Sequence, residues 1–375
     1  MLNRSIIILL VIAIPVVASW FYASEFFFWI GGDREACDAM YTFISIRALS
    51  IPADIIWLSY EKYLMSMGLM LPTFQSSLIY NGTLVLVEYT FVAYFHWGVQ
   101  GLAFALILCN YLKVIALAYL SYNHPFVKRT LHAKLSMESL STLWEFFSFG
   151  LSGCVMVCAE WWAYEIVTIF ASMVGSYAVS SITIAQQLLA IAFMFPMGIG
   201  IAASTLVGNA LGADESNVAR DIGLFSLIFM LCLSLLISPV VYWTTPNFYH
   251  AYSTDSLVLG TCKHLASWLA LSSCLDAMQC VSSGILRGAG KQHVGAVLNL
   301  IAFYIFGLPI SYWACFHLEL GVEGLLVGLV IGSGIQMAVM LIMVIFKPGY
   351  VYAELDVVKA ADKTPGLHTS PIYMA

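Results

Sequence analysis

Three acidic residues stand where acids are costly. Glu160, Glu165 and Asp276 each interrupt a long apolar run, and an ionisable group at membrane depth costs about 2.5–3.5 kcal/mol on insertion scales. Where burial disfavours the charged form of a carboxylate, a proton and a cation compete for one negative site. At about 100° per residue, Glu160 and Glu165 lie roughly 140° apart on a helix. Glu160 falls with Tyr164 and Glu165 with Trp161, so one carboxylate is expected to line a cavity and the other to pair within the bundle. Asp276 is expected to complete the site. The plainer alternative is that all three only hydrogen-bond neighbouring helices.

The aromatic residues Trp161, Trp162, Tyr164 and Tyr304 suit an organic cation, because each ring quadrupole offers about 0.5–2 kcal/mol. Aromatic rings also pack bundles and anchor membrane interfaces, and for any one of them that is the leading alternative. Gln187 can supply a polar contact without charge, or simply bridge two helices. Cys154 and Cys158 lie four apart and share a helix face, but no third Cys or His is near, so they read as packing residues rather than metal ligands. No Ser/His/Asp arrangement, phosphate loop or metal cluster is legible, so no enzyme activity and no cofactor is expected.

The elements that must position these residues are membrane helices. Of 375 residues, 61% are hydrophobic and 10% charged, against about 25% charged in soluble domains. The net charge of −6 carries no basic stripe, so nucleic acid is not expected as a partner; the lipid bilayer is. About 20 apolar residues span the hydrocarbon core. Ten such segments are legible, at roughly 6–22, 44–68, 74–96, 101–122, 146–171, 182–208, 222–242, 264–286, 294–315 and 322–346. The expected class is an all-α polytopic membrane protein. It divides into an N-terminal lobe of four spans (1–122), a cytoplasmic linker (123–143), a C-terminal lobe of six spans (144–346) and a cytoplasmic tail (347–375). Lys and Arg concentrate in alternate loops, with Lys128, Arg220, Arg287, Lys291 and Lys347 on one side and Arg34 and Lys263 on the other. The positive-inside rule then puts both termini in the cytoplasm.

The two lobes are related. Pro15-Val16-Val17 matches Pro239-Val240-Val241, Asp33 matches Asp255, Asp54 matches Asp276, and Gly98-Val99-Gln100-Gly101 matches Gly321-Val322-Glu323-Gly324, all at offsets near 223. Parallel repeats of this kind are a device of secondary transporters. The second copy begins at the seventh span, so the fifth and sixth lack partners upstream. A parent plan of twelve spans, with its first two absent here, is the expectation.

Three segments resemble the multidrug and toxic-compound extrusion (MATE) family in its eukaryotic branch. They are Cys158-Ala159-Glu160-Trp161-Trp162-Ala163-Tyr164-Glu165; Phe195-Pro196-Met197-Gly198 continuing to Val207-Gly208-Asn209-Ala210-Leu211-Gly212; and Gly284-Ile285-Leu286-Arg287-Gly288-Ala289-Gly290, followed by Asn299 and Gly307-Leu308-Pro309. The resemblance implies two six-helix lobes in a plasma membrane or endomembrane and export of organic cations or xenobiotics in exchange for protons or sodium. Gln187 stands where the family often carries a further carboxylate. Two other readings remain open: a shortened, transport-inactive chain that binds or regulates a partner, and, more weakly, a lipid-linked oligosaccharide flippase.

Overall fold

The computed structural model describes residues 2–29, 34–130 and 143–352. Most of the expected linker (131–142) and of the expected tail (353–375) lies outside the described residues. Every regular element among the described residues is helical. In chain order they are α1 Leu2–Trp29, α2 Arg34–Arg47, a 3-10 turn Ala48–Ser50, α3 Ile51–Ser66, α4 Met70–Glu88 with a π-helical extension Tyr89–Tyr94, α5 Gly98–Tyr122 and α6 Pro125–Thr130. There follow α7 Leu143–Val174, α8 Ser176–Gly212, α9 Ser216–Tyr252, α10 Ser256–Gly288, α11 Gln292–Asn299, a π-helical stretch Leu300–Gly307, α12 Leu308–Phe316, α13 Val322–Phe346 and α14 Pro348–Val351.

Helices dominate because a chain in lipid must satisfy its backbone polar groups internally. Among the described residues, nine helices are long and apolar enough to cross a membrane. The third expected span, near 74–96, is also helical over residues 70–94. It is not one of the nine because Gln75, Ser76, Ser77, Asn81, Thr83 and Glu88 dilute its apolar character. α8 and α9 each run 37 residues, about 55 Å at 1.5 Å per residue, so they outreach the roughly 30 Å hydrocarbon core. α8 passes through Pro196 without interruption.

The chain forms two compact units, residues 1–147 and 148–375. In the first, Tyr60 and Ser121 share a 2.6 Å hydrogen bond that ties α3 to α5. Asp54 pairs with Arg47 at 2.9 Å, and the Lys113 ammonium lies 3.0 Å from the centre of the Trp57 ring. In the second unit, α10 packs against α8, α9 and α13 and is the most enclosed span, 78% buried. Small residues allow this. A methyl group added at Gly284 would meet the Gly200 backbone, and one at Gly288 the Ser204 carbonyl, so α8 and α10 approach backbone to backbone as small-residue motifs permit. Gly284 and Gly288 of the third family-like segment are therefore packing residues. Beyond α13 the chain folds back, and Tyr352 is buried against Gly223 of α9. Burial pushes its phenol up to about 12.

The repeat read from the sequence has a backbone counterpart. His96 and Glu319 both have φ +56°, Gly98 and Gly321 follow at +55° and +56°, and Gly68 and Gly290 match at +76° and +70°. These pairs lie 223, 223 and 222 residues apart, the same offset as the sequence matches. A non-glycine residue held at positive φ is uncommon, so its recurrence in both units reflects one loop design used twice.

Candidate functional site

α7, α8 and α10 of the second unit enclose a cavity of about 180 Å³. α7 contributes Glu160, Trp161, Tyr164 and Glu165; α8 contributes Gln186, Gln187, Leu189, Ala190 and Phe193; α10 contributes Ser273 and Asp276. Six of the eight residues singled out from the sequence therefore meet here. Trp162 is 63% exposed and turned away from the cavity, one helical step from Trp161. Tyr304 packs against the apolar core around Phe303 and Leu325 instead. Both Glu160 and Glu165 line the space, which differs from the expectation of one cavity acid and one paired acid. Glu165 and Gln187 are exposed, whereas Asp276 is buried.

Neutral groups hold the acids. Asp276 Oδ2 accepts from Ser272 Oγ at 2.8 Å and from the Tyr164 hydroxyl at 3.3 Å. Glu160 Oε2 accepts from Gln279 Nε2 at 3.1 Å. Ser272, Asp276 and Gln279 stand at i, i+4 and i+7 of α10, one face of one helix. Gln186 fixes the other wall, since its amide donates to the Tyr164 carbonyl at 3.0 Å and to Thr168 Oγ1 at 3.1 Å. Asn299 donates to the Met156 carbonyl at 2.6 Å and accepts from Gln336. The amide oxygens (Oε1) of Gln279 and Gln336 are buried without a protein partner, so each side chain keeps an acceptor to spare. Among the described residues, the ion pairs are Arg34–Asp38, Arg47–Asp54 and His264–Glu323, and none of them involves Glu160 or Asp276.

Ser272, Ser273, Gln186, Gln279 and Phe193 were not among the residues picked from the sequence. The signal available for Ser272 and Gln279 was their spacing from Asp276, one turn to either side on its own helix face. Phe193 and Gln186 carry no comparable mark, because one apolar and one amide residue in a long α8 look like any others.

The MatE family model matches residues 153–313, which contain the whole cavity. Multidrug and toxin extrusion protein 1 of Homo sapiens is 30% identical over 338 residues, 89% of this chain and 59% of the relative. Protein DETOXIFICATION 14 of Arabidopsis thaliana is 27% identical over 348 residues, 91% of this chain and 70% of the relative. The crystal structure of the eukaryotic MATE transporter AtDTX14 has the same fold, with a TM-score of 0.88 at 24% identity over 96% of this chain and 80% of that one. The chain spans about three fifths of the length of the human relative.

Proposed function

We infer from these matches that this chain belongs to the multidrug and toxic-compound extrusion family, and from that premise we propose that it is a secondary antiporter of organic cations, exchanging them for protons across a bilayer. It is a multi-pass membrane protein. One observation carries the reading: Glu160 and Asp276 open onto one cavity at membrane depth, each held only by neutral donors. With no cationic side chain paired to them among the described residues, the negative charge is left for cargo or proton.

Each residue has a role in this cycle. Glu160 and Asp276 bind the cation when ionised and release it when protonated. Glu165, at the exposed mouth, draws cations inward. Trp161 and Tyr164 offer ring faces to the cargo, and Gln187 offers a neutral polar contact. A second reading, sodium coupling, is favoured by the unpartnered oxygens of Gln279 and Gln336, since a hard cation takes oxygen ligands.

Uptake of radiolabelled tetraethylammonium into proteoliposomes under an outward proton gradient tests the proposal. Gradient-driven uptake that Glu160→Gln and Asp276→Asn each abolish is expected. Uptake that follows an imposed sodium gradient and ignores pH would favour the second reading. No uptake by well-inserted protein under either gradient would refute autonomous exchange of this cation.

A further inference from the structure

The thiols of Cys154 and Cys158 are both free, and their sulfurs lie 3.7 Å apart on one face of α7. Cys154 is exposed and Cys158 half-buried. This separation is about van der Waals contact. A disulfide would need the sulfurs at about 2.05 Å, which consecutive turns of a straight helix do not provide. A single atom bonded to both sulfurs asks for far less, because a pyramidal trivalent centre holds two sulfurs near contact distance. The pair has no third metal-binding side chain: among the described residues, no cluster of three His, Cys, Asp or Glu residues could hold a metal ion. Four-coordinate zinc, which needs at least three protein ligands, is therefore unsuited to it.

The surroundings narrow the ligand further. Trp161 and Glu165 follow Cys158 at i+3 and i+7, on the same stripe of α7, and both line the cavity. Trp161 is 52% exposed, so an aromatic ring carried by the bridging atom would lie one turn from an open indole face. We propose that Cys154 and Cys158 form a dithiol site for trivalent aryl arsenicals, on the wall that leads to the cavity. The chemistry balances without any redox partner. An aryl arsenoxide takes two thiols, two As–S bonds form, and the oxygen departs with both thiol protons as one water.

The site stands or falls independently of transport. The detergent-solubilised chain would be treated with phenylarsine oxide, washed with the monothiol 2-mercaptoethanol, and weighed intact by mass spectrometry. One retained phenylarsenic group per chain is expected, removable by the dithiol 2,3-dimercaptopropanol. C154S and C158S should each lower apparent affinity by roughly 100-fold or more, since the second As–S bond is an intramolecular event. C232S, which removes another exposed thiol, should retain the adduct unchanged. Gel filtration checks that each variant is folded, and C154S, at the exposed position, is the decisive one should C158S misfold. Absence of a wash-resistant adduct in the unmodified chain, or its persistence in C154S, would overturn the proposal.

Discussion

At the scale of single residues, the three acids were legible because charge in an apolar run is conspicuous, and the neutral groups that hold them were not. Ser272 and Gln279 cost little at membrane depth, so nothing in composition marks them until Asp276 gives the register. The indoles show a second limit. Trp161 and Trp162 are adjacent and identical in type, and only the rotation of α7 about its axis decides which one meets the cavity. Two outcomes are expected from this geometry. Trp161→Ala should weaken apparent affinity for tetraethylammonium by about 0.5–2 kcal/mol, the range of a ring–cation contact, while Trp162→Ala should leave it nearly unchanged; concentration dependence of uptake reads both. Tyr164→Phe removes one hydroxyl donor to Asp276 and leaves that of Ser272. At about 0.5–1.5 kcal/mol for a single hydrogen bond, transport efficiency should fall roughly two- to tenfold, measured as kcat/KM.

At the scale of elements, apolar length placed the helices, and the structure extends them. The seventh span, read at 222–242, is a helix from Ser216 to Tyr252, because a helix does not stop where its side chains turn polar. The π-helical stretches at Tyr89–Tyr94 and Leu300–Gly307 left no mark in the residue pattern, since their composition is ordinary for a span. The small-residue contact between α8 and α10 was visible only as a string of glycines, and the partner helix had to be seen. Gly284→Ala and Gly288→Ala should each destabilise the second unit by about 1–3 kcal/mol, the usual cost of overpacking. Gly260→Ala lies on the same helix with open space around it and should stabilise slightly, by roughly 0.5–1 kcal/mol of helix propensity. Thermal midpoints of the purified variants in detergent would separate the two cases; equal effects at Gly260 and Gly284 would count against the close approach.

At the scale of the whole molecule, the internal repeat was readable from four short matches, and the paired positive-φ residues give it a physical basis in loop geometry. Orientation across the bilayer rests on the Lys and Arg asymmetry and can be checked directly. In intact cells, Asp255→Cys should react with a membrane-impermeant maleimide above the background of the parent chain, whereas Lys291→Cys should do so only after permeabilisation. The reverse pattern would invert the topology. The enclosure of α10 bears finally on how the protein is made. α10 shares with the segment Cys37–Ser66 the lowest hydropathy of the nine spans, yet it is by far the most buried. Presented alone to the lateral gate of a translocon, a helix bearing Ser272, Ser273, Asp276, Gln279, Ser282 and Ser283 partitions poorly into lipid. Its partners α8 and α9 are synthesised first, and α9 is among the most apolar of all. During translation, the polar face of α10 thus meets helices already waiting in the bilayer, and its insertion becomes a step of assembly rather than of partitioning.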